Sequence, residues 1–215
     1  MIAKDDKLQL IEYGKRMVAE NLTTGTGGNL SLYDREQGLL AITPSGIPYD
    51  SLEAEDIVTT NLAGEIIAGE RKPSSELDLH RKVYQSRDDV QAVVHTHSTY
   101  ATAVSCLRQE LPAVHYFIAE AGGSRVPLAD YARYGTEELA ENVVNSLGQE
   151  YQAVLLANHG LLAAGENLAA AFKVAETIEF VAELYYRTRN MGEAVMLSES
   201  EMAEVKEAFA SYGQQ

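Results

Sequence analysis

Cysteine is almost missing from this chain: Cys106 stands alone among 215 residues. One thiol cannot close an intrachain disulfide, which excludes a cross-linked secreted scaffold and points to a reducing, cytoplasmic setting. Cations are scarce too, with 17 Lys and Arg against 32 Asp and Glu, a formal net charge of −15. Affinity for nucleic acid begins with cationic neutralisation of phosphates, so nucleic acid is excluded as a partner and an anionic membrane surface is disfavoured. A small phosphorylated molecule stays open, because backbone N–H groups, hydroxyls and a helix N-terminus can hold one phosphate without a basic surface. No uncharged apolar run is long enough to cross a bilayer. The first residues, Met1-Ile2-Ala3-Lys4-Asp5-Asp6, lack a signal-peptide core. No repeat, low-complexity tract or Pro/Gly/Ser-rich linker divides the sequence, so a single domain over 1–215 is expected.

What is present reads as alternating short strands and amphipathic helices. Apolar spacing predicts a helix from about Lys7 to Glu20, with Leu8, Ile11 and Val18 among its buried positions. Gly25, Gly27 and Gly28 end it. Asn29–Tyr33 and Leu39–Ile42 then read as paired strands, followed by a tight turn at Thr43-Pro44-Ser45-Gly46. Ile57–Thr60 and Glu65–Ala68 flank Gly64 as a second hairpin, and Ser74-Ser75 after Pro73 opens a helix through His80. Further strands end at His95 and lead into His159, and helices are expected through Tyr100 and Val104, over Leu168–Asn190 and over Glu199–Ala210. Hairpins with helices between and after them imply an α/β (α+β) fold, a three-layer α/β/α sandwich with a mainly antiparallel central sheet.

Chemistry is concentrated around His95-Thr96-His97. Strand side chains two apart share a face, so these imidazoles project together from the end of the run Gln91-Ala92-Val93-Val94. Side by side they repel when protonated and forgo apolar packing, which a shared metal ion would explain. His159, before Gly160 at a sharp turn, is a third candidate and Glu76 a carboxylate candidate. Three neutral imidazoles with an exchangeable fourth position describe a catalytic zinc site better than a structural one. Ordinary roles stand beside these. Glu76 in a first helical turn also complements the macrodipole and caps the helix. Ser74 and Ser75 serve as caps or as a phosphate cradle. Gly27-Gly28-Asn29 and Ser45-Gly46 also read as turn punctuation. His80, among charged neighbours in its helix, reads as a packed or surface residue.

The motifs Gly28-Asn29-Leu30-Ser31, Thr43-Pro44-Ser45-Gly46, Pro73-Ser74-Ser75-Glu76, His95-Thr96-His97, His115-Tyr116, Tyr134-Gly135-Thr136, His159-Gly160-Leu161 and Ser211-Tyr212-Gly213 run nearly the whole length. In this order and spacing the chain resembles the class II aldolase and adducin family. The resemblance implies Zn²⁺ held by His95, His97 and His159, with Glu76 as acid/base and fourth ligand when substrate is absent. It implies phosphate binding by Gly28, Asn29, Ser45, Gly46, Ser74 and Ser75. Tyr116, Tyr134 and Tyr212 match aromatics at the aldehyde end, some reaching in from a neighbouring subunit, with a C-terminal tail of about 198–215 contributing to the site. A homotetramer with active sites between subunits follows from the same resemblance. So does the expected reaction, reversible cleavage of L-fuculose 1-phosphate to dihydroxyacetone phosphate and L-lactaldehyde. Other 5-deoxy-pentulose 1-phosphates would suit the same residues. An L-ribulose-5-phosphate 4-epimerase characteristically carries Asp where this chain has Glu76, and a non-catalytic adducin-like module would have lost the His ligands. Glu120 departs from the alanine usual in the similar aldolases.

Overall fold

The order of strands in space differs from their order in sequence, and that difference assembles the site. The computed structural model describes residues 1–211. The chain begins with α1 (Lys4–Ala19) and the meander β1 (Asn29–Asp34), β2 (Leu39–Ile42), β3 (Val58–Asn61) and β4 (Ile66–Ala68). It continues through α2 (Leu77–Ser86), β5 (Ala92–Thr96) and α3 (Thr99–Cys106). Next come β6 (Leu111–Pro112), a 3₁₀ helix at Tyr116–Ala121, β7 (Arg125–Val126), β8 (Leu128–Ala129) and α4 (Glu137–Leu147). The hairpin of β9 (Ala153–Leu156) and β10 (Gly160–Gly165) leads into α5 (Leu168–Met191) and α6 (Glu199–Ser211). The main sheet runs β4-β3-β2-β1-β5-β10-β9-β8, antiparallel at every pairing except the parallel β8–β9 edge. The expected mainly antiparallel α/β/α sandwich is the fold observed.

Period-two alternation divides the two cores. Leu30 of β1, Ala92 and Val94 of β5, and Leu161 and Ala163 of β10 pack with Leu10 and Met17 of α1 and Ile178 of α5. Tyr33, Val93, Leu162 and Ala164 face the other way, onto Leu79 and Val83 of α2 and Leu139 and Val143 of α4. The same alternation sends Asn29, Ser31, His95 and His97 to the α2 side.

Two local readings are corrected. Leu8 is exposed, because the buried stripe of α1 is Leu10, Ile11, Gly14 and Met17, and Leu8 lies about 200° around the helix from Leu10. The helix α4 is an addition to the sequence reading; Thr136 caps it by accepting a hydrogen bond from the Leu139 N–H. No described helix is long and apolar enough to cross a membrane.

Candidate metal centre and cleft

Strand register places the site. Asn29 of β1 and Leu162 of β10 flank His95 directly across the sheet. The β9–β10 hairpin turns through Ala157, Asn158 and His159, with Asn158 in the left-handed region at φ 55 and the His159 N–H donating to the Leu156 carbonyl. Asparagine tolerates that conformation, and the turn swings the His159 ring over β5. Glycine permits the close packing. A Cβ on Gly28, at φ +68, would sit 2.5 Å from the His95 carbonyl oxygen, and one on Gly160 would sit 2.3 Å from that of Thr96.

Glu76 arrives from the opposite side as the N-cap residue of α2, yet its carboxylate makes no cap hydrogen bond. The Ser74 hydroxyl takes the local role by accepting from the Glu76 N–H at 3.2 Å. This frees the carboxylate to point into the cluster. Oε2 lies 3.2 Å from His95 Nε2 and Oε1 lies 3.4 Å from His159 Nε2. His95 and His97 face each other with Nε2 atoms 3.0 Å apart. One donor atom from each of Glu76, His95, His97 and His159 falls within 4.8 Å of every other.

This donor set fits a divalent metal ion. His95 Nδ1 donates to the Leu161 carbonyl at 2.9 Å, which turns Nε2 and its lone pair toward the cluster. Glu76 Oε1 is buried without a hydrogen-bond partner. Electrostatics agree. Burial alone would raise the Glu76 carboxyl, but the charge and hydrogen bond of His95, then His159 and Asn29, hold it well below the usual carboxylate range. Burial works to lower His95, and Glu76 overrides it and raises the imidazole. His97 is pushed down to about 3 by burial and by repulsion from the imidazoles of His95 and His159 when they are protonated, and His159 to about 4 by burial and His95. These two rings are neutral at neutral pH.

Glu76, His97 and His159 form one wall of an open cleft of about 380 Å³, and His95 is fully buried. An isolated bridge between Pro44 and Pro73, with the Ser45 N–H donating to the Lys72 carbonyl and the Ser74 N–H to the Thr43 carbonyl, binds the two loops into one lip. Ser45, Gly46, Ser74 and Ser75 line that lip beside Gly27, Gly28 and Asn29. Tyr131 and Tyr134 stand across it, 55% and 62% exposed, with Gly135 tucked against the Ser75 carbonyl. Tyr116 is not among the residues of this cleft. It opens the 3₁₀ helix, 43% exposed, stacked with His115, Phe117 and Phe209. Tyr212 lies outside the described residues. Glu120 is away from the cleft and pairs with Lys173 at 2.8 Å, so it does not face the metal cluster of its own chain.

Sequence reasoning missed two residues here. Tyr131 carried no signal. His80 did: it sits one helical turn beyond Glu76, and the polar alternation Asn29-Leu30-Ser31 on β1 offered it partners. It is fully buried, bonded to Asn29 and Ser31.

Residues 8–186 match the family described as the class II aldolase and adducin N-terminal domain. The chain is 49% identical over 215 residues, all of both chains, to a 5-deoxy-D-ribulose 1-phosphate aldolase of Bacillus thuringiensis serovar kurstaki. It is 43% identical over 206 residues to an L-fuculose phosphate aldolase of Escherichia coli K12, covering 95% of this chain and 94% of the other. A solved L-fuculose 1-phosphate aldolase superposes with a TM-score of 0.95 at 49% identity over 98% of each chain.

Proposed function

The chain belongs to the class II aldolase and adducin family, and from that premise we propose that it cleaves a terminally deoxygenated ketose 1-phosphate to dihydroxyacetone phosphate and a short aldehyde. The observation that carries this reading is the convergence of Glu76 with His95, His97 and His159 beside a cleft whose lip is made of hydroxyls and glycines. His95, His97 and His159 would hold a divalent cation, zinc by their chemistry, which would supply Lewis-acid polarisation of the substrate carbonyl and offset the negative charge developing there.

The residues do the rest. Ser45, Gly46, Ser74 and Ser75, with Gly28 and Asn29, clamp the phosphate, so that its binding energy orients carbons three and four. As the bond between those carbons breaks, the electron pair stays on carbon three, and the carbon-four hydroxyl gives its proton to the Glu76 carboxylate as its carbon becomes the aldehyde. Glu76 then delivers a proton to carbon three, completing dihydroxyacetone phosphate. Tyr134 borders the departing aldehyde. Tyr116 reaches a neighbouring copy's cleft in a homotetramer, where it hydrogen-bonds the aldehyde oxygen.

For substrate, the full-length relative at 49% identity supports 5-deoxy-D-ribulose 1-phosphate, whose cleavage releases acetaldehyde, ahead of the L-fuculose 1-phosphate that the motifs alone suggested. The curated relatives at 43% identity, and the solved structure at 49%, carry the name of the latter, which releases L-lactaldehyde, and keep it as the second reading. A retro-aldol assay over both sugars and L-ribulose 5-phosphate, with and without chelator, tests the proposal. Chelator-sensitive release of dihydroxyacetone phosphate, fastest from the five-carbon deoxy sugar, is expected. Epimerisation of L-ribulose 5-phosphate without cleavage of either deoxy sugar would overturn it.

A further inference from the structure

Behind the cleft, between β1 and α2, four polar side chains occupy positions where apolar ones would pack. The Asn29 side-chain nitrogen Nδ2 donates to Glu76 Oε2 at 3.0 Å, and the Asn29 oxygen Oδ1 meets Nε2 of His80. The other ring nitrogen of His80 lies 2.6 Å from the Ser31 hydroxyl, itself 2.6 Å from the Tyr84 hydroxyl. Asn29, Ser31, His80 and Tyr84 are all at most 4% exposed. Nothing in the metal-binding or phosphate-binding roles above uses His80, Ser31 or Tyr84.

Valence fixes the hydrogens of this row from Glu76 to Ser31. The Glu76 carboxylate only accepts, so Asn29 must turn its NH₂ toward it and its oxygen away. That oxygen only accepts, so His80 must carry its hydrogen on Nε2. A neutral ring then has a bare Nδ1, which the Ser31 hydroxyl must fill by donating. The Tyr84 hydroxyl is left to donate to Ser31, whose backbone carbonyl is also in reach at 3.1 Å. All the donors point one way, toward Oε2. The other oxygen, Oε1, is buried and has no such partner.

We propose that His80 is a positioning residue: through the Asn29 amide it anchors Glu76 by Oε2 and leaves Oε1 as the oxygen that transfers the proton. The catalytic consequence rests on the acid/base role proposed for Glu76; the hydrogen-bond order does not. With an apolar residue at 80, the Asn29 amide has nothing to hold its oxygen. Rotated, it would present that oxygen to the carboxylate, and Glu76 would lose its fixed orientation. Supporting groups of this kind typically contribute 10- to 100-fold to activity or metal affinity.

Two measurements test this on the zinc-loaded full chain. Nitrogen-15 spectra of histidine-labelled protein, with the His80 signals assigned by their loss in His80→Gln, should show a ring protonated on Nε2 and bare on Nδ1. The opposite tautomer overturns the proposal whatever the activity. In the retro-aldol assay, His80→Leu should lower kcat about 10- to 100-fold with KM within about threefold, and His80→Gln, which keeps a donor, should recover most of it. In an Asn29→Ala background, His80→Leu should add no further loss. Multiplying losses, or a His80→Gln as slow as His80→Leu, would overturn the proposal. A wild type with the expected tautomer but no retro-aldol activity would instead sink the function proposed for the site.

Discussion

Glu76 Oε2 lies 3.2 Å from His95 Nε2 although the two residues come from a helix cap and a strand end. The contact is long-range in sequence and sits at the centre of the cluster. It is also what turns the carboxylate away from its own helix. Replacing the carboxylate by its isosteric amide, Glu76→Gln, should leave folding and phosphate binding intact while kcat falls about 10²- to 10⁴-fold, the usual contribution of a general acid/base. Steady-state kinetics with a bound phosphate competitor checks both halves. A variant of near-normal kcat would remove Glu76 from the proton transfer.

Gly28 sets the spacing between β1 and β5 at the cluster. Alanine there must adopt φ +68 and place its Cβ 2.5 Å from the His95 carbonyl oxygen. The left-handed conformation alone costs roughly 1–2 kcal/mol, and the strand carrying two imidazoles must shift in addition. Gly28→Ala should therefore unfold earlier in urea and hold less zinc per chain. Unchanged stability and full zinc content would show that this approach is not required.

Acid should act on the fold through His80. Burial, then the His95 charge, pushes it down to about 3 from an ordinary 6.5. As pH falls through that interval, the unfolded chain takes a proton at residue 80 that the folded chain refuses. Stability is thus lost on acidification, by up to about 1.4 kcal/mol per pH unit for the one group. Metal-free wild type should lose stability more steeply than His80→Gln between about pH 6 and pH 4. Parallel slopes would contradict a neutral, buried imidazole.

Tyr116 stands outside its own chain's cleft, so its proposed role needs a neighbour. Chains carrying Tyr116→Phe and chains carrying Glu76→Gln should each be slow alone. Refolded together, they should regain activity, because some clefts then combine an intact Glu76 with an intact Tyr116. A mixture no faster than its two components would place Tyr116 outside the chemistry.

Much of this was legible in the sequence because period-two alternation is local. It put His95, and His97 just past the end of β5, on one side and, through Asn29 and Ser31, marked the same face of β1. His80 was read as packed or surface, and the choice between the two was not legible because its sequence neighbours Asp78, Arg81 and Lys82 are charged, whereas burial is set by which helical face meets the sheet. The helix α4 escaped notice because Glu137, Glu138, Asn142 and Asn145 obscure a stripe of Leu139, Ala140, Val143 and Leu147 that only the sheet makes apolar. The meeting of the Ser45 and Ser74 loops depends on the Pro44–Pro73 bridge, a tertiary contact with no local signature. Tyr116 carries no local mark of the role proposed for it, since its ring neighbours in its own chain are His115, Phe117 and Phe209.

Metal dependence is the claim on which the rest stands. The direct measurement strips the protein with a strong chelator, counts zinc per chain, and follows release of dihydroxyacetone phosphate before and after zinc is returned. The account predicts loss of turnover in step with loss of one zinc, recovery on re-addition, and neither zinc uptake nor recovery when His95 and His97 are both alanine. Full turnover in protein shown to be free of metal would contradict it.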